Sequence, residues 1–155
     1  MEKAREMSNT GKTVFKKGRL VFFYLHFDWF AGLTTCYFAR QTGDKSQMVD
    51  AQDICDRLKH FCNDSRWNFE NKHYLLKAEC HFTEGEISQA AEAYEASIKA
   101  AKDHKFINEM ALSCELAGYF FKEQGNEEKA RAMFKQARDG YVEWGAIEKA
   151  KLVPQ

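Results

Sequence analysis

"HYLLKAECHFTEGEISQAAEAYEASIKAA" (residues 73–101) lies over "SCELAGYFFKEQGNEEKARAMFKQARDGY" (residues 113–141) with a shift of 40 residues. Tyr74 then matches Cys114, Ala78 matches Gly118, and His81 matches Phe121. Gly85 matches Gly125, Ala90 matches Ala130, Tyr94 matches Phe134, and Ser97 matches Ala137. The pattern has a physical reading. Gly85 and Gly125 suit the left-handed backbone position that ends a helix, so each marks a helix–turn–helix. Small residues at 78/118 and 90/130 let two antiparallel helices approach closely, while the aromatics at 94/134 fill the wedge between neighbouring pairs. A generic amphipathic bundle would share some of these matches. Both turn glycines falling in register favour a repeat.

This alternation of small and large residues is the tetratricopeptide arrangement, stretched from about 34 residues to 40. Upstream, Met48, Ala51, Ile54, Cys55, Leu58, Phe61 and Cys62 form one apolar stripe at helical spacing. Gly43 in "FARQTGDK" predicts a turn before that helix, and the aromatic-rich stretch ahead of it predicts its partner. Three helix pairs are therefore expected: 20–40 with 46–62, 69–84 with 87–102, and 106–123 with 127–143. "CNDSRWNFENK" reads as a break between the first two pairs, rich in capping residues. The predicted fold is all-α, a single domain of about seven helices stacked as a right-handed solenoid. Its repeats fall at about 20–62, 69–103 and 106–143, after an undefined segment 1–18 and before a short capping helix over 145–152.

Along the last long helix, Ala130, Phe134, Ala137, Tyr141 and Trp144 follow spacings of four and three on one face. Gly145 then permits a turn, and the final helix is expected to fold back and cover Trp144. Outward residues of 69–84 and 106–123, by helical phase Lys72, Asn108 and Glu115, are expected to line a shallow partner groove. "GNEEKARAMFKQARD" alternates charge sign along a helix and reads as a solvated face.

At "NFENKHYLLKAE", and from "NEMALSCELAGYFF" to the terminal "WGAIEKAKL", the chain resembles the helical-repeat region of large multidomain signalling proteins. Those proteins join a serine/threonine-kinase-like domain, an AAA-type ATPase, the repeat region, a GAF sensor and a histidine kinase. The resemblance runs from Trp67 to Leu152 and rests on Ala137, Tyr141, Trp144, Gly145, Ala146, Lys149 and Leu152 in register. These are structural motifs. They imply a protein-binding or domain-positioning role in a signalling assembly, with a protein partner or adjoining signalling domains, and they carry no catalytic residue to this chain.

Composition narrows the alternatives. Acidic and basic residues balance at 23 each, and no basic stripe is interleaved with aromatics, so a nucleic-acid partner is not expected. "LVFFYLHFDWFAGL" is broken by His26 and Asp28 and is too short and polar to span a bilayer. Five cysteines, an odd count without a C-x-x-C, suit reduced thiols, and with no signal-peptide layout the expected address is the cytoplasm. Near the N-terminus, "REMSNTGKTVF" contains a Gly-Lys-Thr, but a phosphate loop requires glycine where Glu6 stands. No nucleotide, cofactor or metal is expected. The close pairs His60/Cys62 and Cys80/His81 do not face one another on a helix. His81, opposite Phe121, reads as a half-buried core histidine.

The alternative function is a phosphorelay or regulatory fragment with His73 as phosphoacceptor, Lys77 sharing its face. Because "LVFFYLHFDWF" is apolar all round, the chain is also expected to dimerise through residues 20–31 or to aggregate.

Overall fold

The computed structural model describes residues 21–155; the Gly-Lys-Thr with its Glu6, and Leu20, lie outside them. Among the described residues six helices follow one another: α1 (Val21–Thr42), α2 (Met48–Glu84), α3 (Ile87–Asp103), α4 (Ile107–Glu123), α5 (Glu127–Glu143) and α6 (Ile147–Leu152). No strand occurs among the described residues, so the fold is all-α, with helices packed in adjacent pairs. None of the described helices is long and apolar enough to cross a membrane.

α2 is two helices in one run. Ser65 leaves helical geometry at φ −150°, ψ 70°, and the chain folds back on itself there. Phe61 then meets Phe69 at 5.5 Å between ring centroids, and Cys55 meets His73. The expected break is present but takes one residue rather than a loop. Asn68 donates to the Ser65 hydroxyl at 2.9 Å, replacing part of the hydrogen bonding lost at the bend.

The four connections from α2 through α6 share one design. Gly85, Lys105, Gly125 and Gly145 adopt φ of 84°, 61°, 72° and 90°, at successive intervals of 20 residues. At each, the next amide reaches back five residues: Glu86 to His81, Phe106 to Ala101, Asn126 to Phe121 and Ala146 to Tyr141, all at 2.8–2.9 Å. This closure satisfies the last carbonyls of one helix and aims the chain back alongside it. It explains why α3, α4 and α5 are each 17 residues long. Lys105 does the work of glycine with a Cβ, which costs about 1–2 kcal/mol in this region. Lys105→Gly is expected to raise stability by about 1 kcal/mol after the entropy of glycine is deducted. A higher urea midpoint at unchanged slope is the measurement; an unchanged or lower midpoint contradicts the reading.

The repeat positions do what their sizes predict. Ala78, Ala90, Tyr94, Ala130, Phe134 and Ala137 are buried, and Gly118 lies where α4 meets the ring of Phe134 on α5. Tyr141 is buried as expected. Trp144 is not: it is 57 % exposed. The turn at Gly145 repeats the other turns, so α6 packs against α5 and reaches α4 through Lys149 instead of folding over the indole. Ala150 and Val153 bury there, and Arg138 holds the Pro154 carbonyl.

At the other end, α1 packs on α2 through Leu25, Trp29, Cys36 and Ala39, all buried. Within 20–31, Asp28 is buried and bound to Arg57 at 2.6 Å, while Phe30 remains exposed.

Candidate functional site

Of the three residues expected to line an outward groove, only Asn108 keeps partial exposure. Lys72 is 2 % exposed. Its Nζ donates to Glu109 Oε2 at 2.6 Å and to the Asn68 carbonyl at 3.0 Å. It also lies over the rings of Phe106, at 4.8 Å, and Trp29, at 5.7 Å. Glu115 is buried too, accepting from Tyr141 Oη and from Lys149 Nζ, both at 2.7 Å. The outward placement of Lys72 and Glu115 is thus corrected. Each charge has an opposite charge on the neighbouring helix, so leaving water is compensated. The two take part in different ion pairs and are not brought together.

These pairs form a series. Arg40 on α1 binds Glu79 on α2 at 2.5 Å, Lys72 on α2 binds Glu109 on α4, and Lys149 on α6 binds Glu115 on α4. The first helices of successive pairs are therefore joined by one cation–carboxylate bond each. Tyrosines from the second helices complete two of them, Tyr94 donating to Glu79 and Tyr141 to Glu115. Burial and the adjoining carboxylate push both phenols above their ordinary value, so they remain protonated donors. Burial alone would raise Glu109, but His26, Lys72 and Asn71 outweigh it and hold the carboxyl below its usual range. For a buried pair of this kind, removing one partner alone is costly, whereas replacing both with apolar residues is often neutral.

His73 stands against Cys55, Nδ1 lying 3.6 Å from Sγ and 3.2 Å from the Cys55 carbonyl oxygen. Sequence spacing gave no hint of this pair, because the fold-back at Ser65 creates it. Cysteine catalysis needs a thiolate. Here burial pushes the Cys55 thiol up to about 12 and lowers the imidazole below its ordinary value, so both groups are neutral. At 9 % exposure His73 is held inward rather than presented to a phosphodonor. Its lowered value has a consequence: below pH 6.5 the unfolded chain takes up a proton that the folded chain refuses. Stability should therefore fall as the pH drops through 6.5 and level off once the folded imidazole also titrates. Urea midpoints across that range should slope less in His73→Gln; an equal slope counts against the buried, neutral imidazole.

His81 is half-buried, as expected from its alignment with Phe121, and binds Glu86 at the turn. Cys36 and Cys80 place their sulfurs 3.8 Å apart between α1 and α2. Among the described residues no group of three or more His, Cys, Asp or Glu side chains is placed to hold a metal ion.

Two grooves stand out among the described residues. One, of about 470 Å³, lies between the second half of α2 and α3, lined by Arg66, Glu70, Tyr74, Lys99, Asp103 and His104 among others. It continues past Tyr74 and Ala96 into a space of about 420 Å³ reaching His81 and Gln89. The other, also about 420 Å³, lies where α3, the turn into α4, and α5 meet, with Ile98, Ala101, Ile107 and Met110 in its lining.

These features define a class, an all-α protein of paired helices whose polar core serves packing and whose open space lies in grooves between helices. Comparison of the chain with family models, with curated proteins and with solved structures gives no match.

Proposed function

We propose that this chain is a non-catalytic, tetratricopeptide-like helical-repeat module that binds a protein partner or an adjoining domain within a cytoplasmic signalling assembly. The observation that carries the reading is the recurrence of one turn at 85, 105, 125 and 145, which sets helix beside helix at a fixed interval. Stacking of this kind generates extended surfaces and inter-helix grooves suited to peptides and helices. The neutral Cys55–His73 pair and the ion pairs consumed in packing support a binding role over a chemical one. The resemblance over Trp67–Leu152 points to signalling proteins in particular.

The test is affinity capture from native extract on the immobilised chain, with excess free chain as competitor. One or more proteins should be retained and displaced by the competitor. Failure to retain any competed protein, from extracts under several signalling states, would sink the proposal.

A further inference from the structure

The two surface grooves are the same place in successive repeats. Shifted by 40 residues, Glu70, Ala96, Lys99, Ala100 and Asp103 of the first become Met110, Gln136, Asp139, Gly140 and Glu143 of the second. The same shift carries Trp67 to Ile107 and His104 to Trp144. In the first repeat the chain supplies its own aromatic: the Trp67 indole stacks on His104 at 4.5 Å and 22°. In the second, the smaller Ile107 stands where the indole begins, and Trp144 is exposed with no stacked ring among the described residues.

The charges differ in the same sense. The first groove closes its own: Arg66 pairs with Glu70 and Lys99 with Asp103, each within one helix. Around the second, Lys102 and Lys105 stand on the α3 side and Asp139 and Glu143 on α5. Asp139 bonds Lys135 on its own helix, but no ion pair crosses this groove among the described residues. Its lining also exchanges Glu70 for Met110, an apolar and adaptable side chain.

We propose that the groove between α3 and α5 docks a partner segment carrying an aromatic side chain, seated beside Trp144 as Trp67 is seated on His104. The segment presents an acidic residue to Lys102 and Lys105 and a basic residue to Asp139 and Glu143. The inference rests on the reading of the chain as a protein-binding module and names that module's docking site. Aromatic anchors in apolar pockets dominate such interfaces, and flanking charges set orientation.

The test uses the whole chain and the peptide acetyl-Glu-Glu-Phe-Lys-Lys-amide, followed by nitrogen–proton NMR. The Trp144 indole N–H and the amides of Gly140 and Glu143 should shift saturably. Replacing the peptide phenylalanine with alanine should weaken binding at least tenfold. Ile107→Trp restores the residue of the preceding repeat, so it should fill the groove and weaken binding at least tenfold with the spectrum otherwise dispersed. Lys102→Glu with Lys105→Glu, exposed and independent of that packing, should weaken binding by a similar factor. No saturable shift up to millimolar peptide, or unchanged binding in both variants, overturns the proposal. So do the same shifts on raising protein concentration alone, which would assign the groove to a second copy. If the peptide fails while the chain still captures a competed protein from extract, the groove assignment falls and the module reading stands.

Discussion

Gly118→Leu should lower stability by about 3 kcal/mol, at the upper end of ordinary overpacking. A Cβ at this position would lie 2.5 Å from Cε1 and 2.6 Å from Cδ1 of Phe134. The ring has little room to retreat, being buried and edge-on to Tyr119 at 5.0 Å. Better helix propensity returns about 1 kcal/mol, less than the clash removes. Gln124→Leu, at the exposed end of the same helix, should stay within about 0.5 kcal/mol of the parent. Urea midpoints of the two variants decide it. Equal midpoints would mean that α4 and α5 do not meet through Gly118.

Glu109→Ala should have the larger effect, about 3–5 kcal/mol, the range for breaking a buried pair from one side. It leaves the Lys72 ammonium between Phe106 and Trp29 with the Asn68 carbonyl as its remaining hydrogen-bond acceptor. Asn71, which donates to the same carboxylate, is stranded with it. Lys72→Met combined with Glu109→Leu should recover most of the loss, because no buried charge then lacks a partner. A double-mutant cycle measures the coupling. If the double variant is as unstable as Glu109→Ala alone, the ion pair is not the source of the cost.

Glycine made the turns legible. Gly43, Gly85, Gly125 and Gly145 are visible as helix stops because only glycine takes their backbone angles freely, and all four have positive φ. Lys105 hid the second turn of the regular series, so the sequence displays a repeat of 40 while the backbone repeats every 20. Helical phase failed at Lys72 and Glu115 for a different reason. A charged residue reads as solvated unless its partner is known, and those partners lie 37 and 34 residues away in the chain. Trp144 misled through its spacing: it continues the buried face of α5, but the next helix leaves along the stack and does not cover it. The groove between α3 and α5 is not legible in the sequence because it depends on what is missing, an indole at 107 and a side chain at 140.

The cation–carboxylate bonds between first helices do not follow the interval of the turns. Glu79 lies 39 residues from its arginine, Glu109 37 from its lysine, and Glu115 34 before its own. Shifted by 40, Glu109 falls on Lys149, a reversal of sign. The turns at 85, 105, 125 and 145 all close the same way and by themselves set no order. The charges do. A chain with its second and third modules exchanged would still close the turn between them and yet leave Arg40 and Lys149 without their carboxylates. The order of assembly is thus written in the interior, as wards are cut inside a lock, and the modules of this protein are not interchangeable parts.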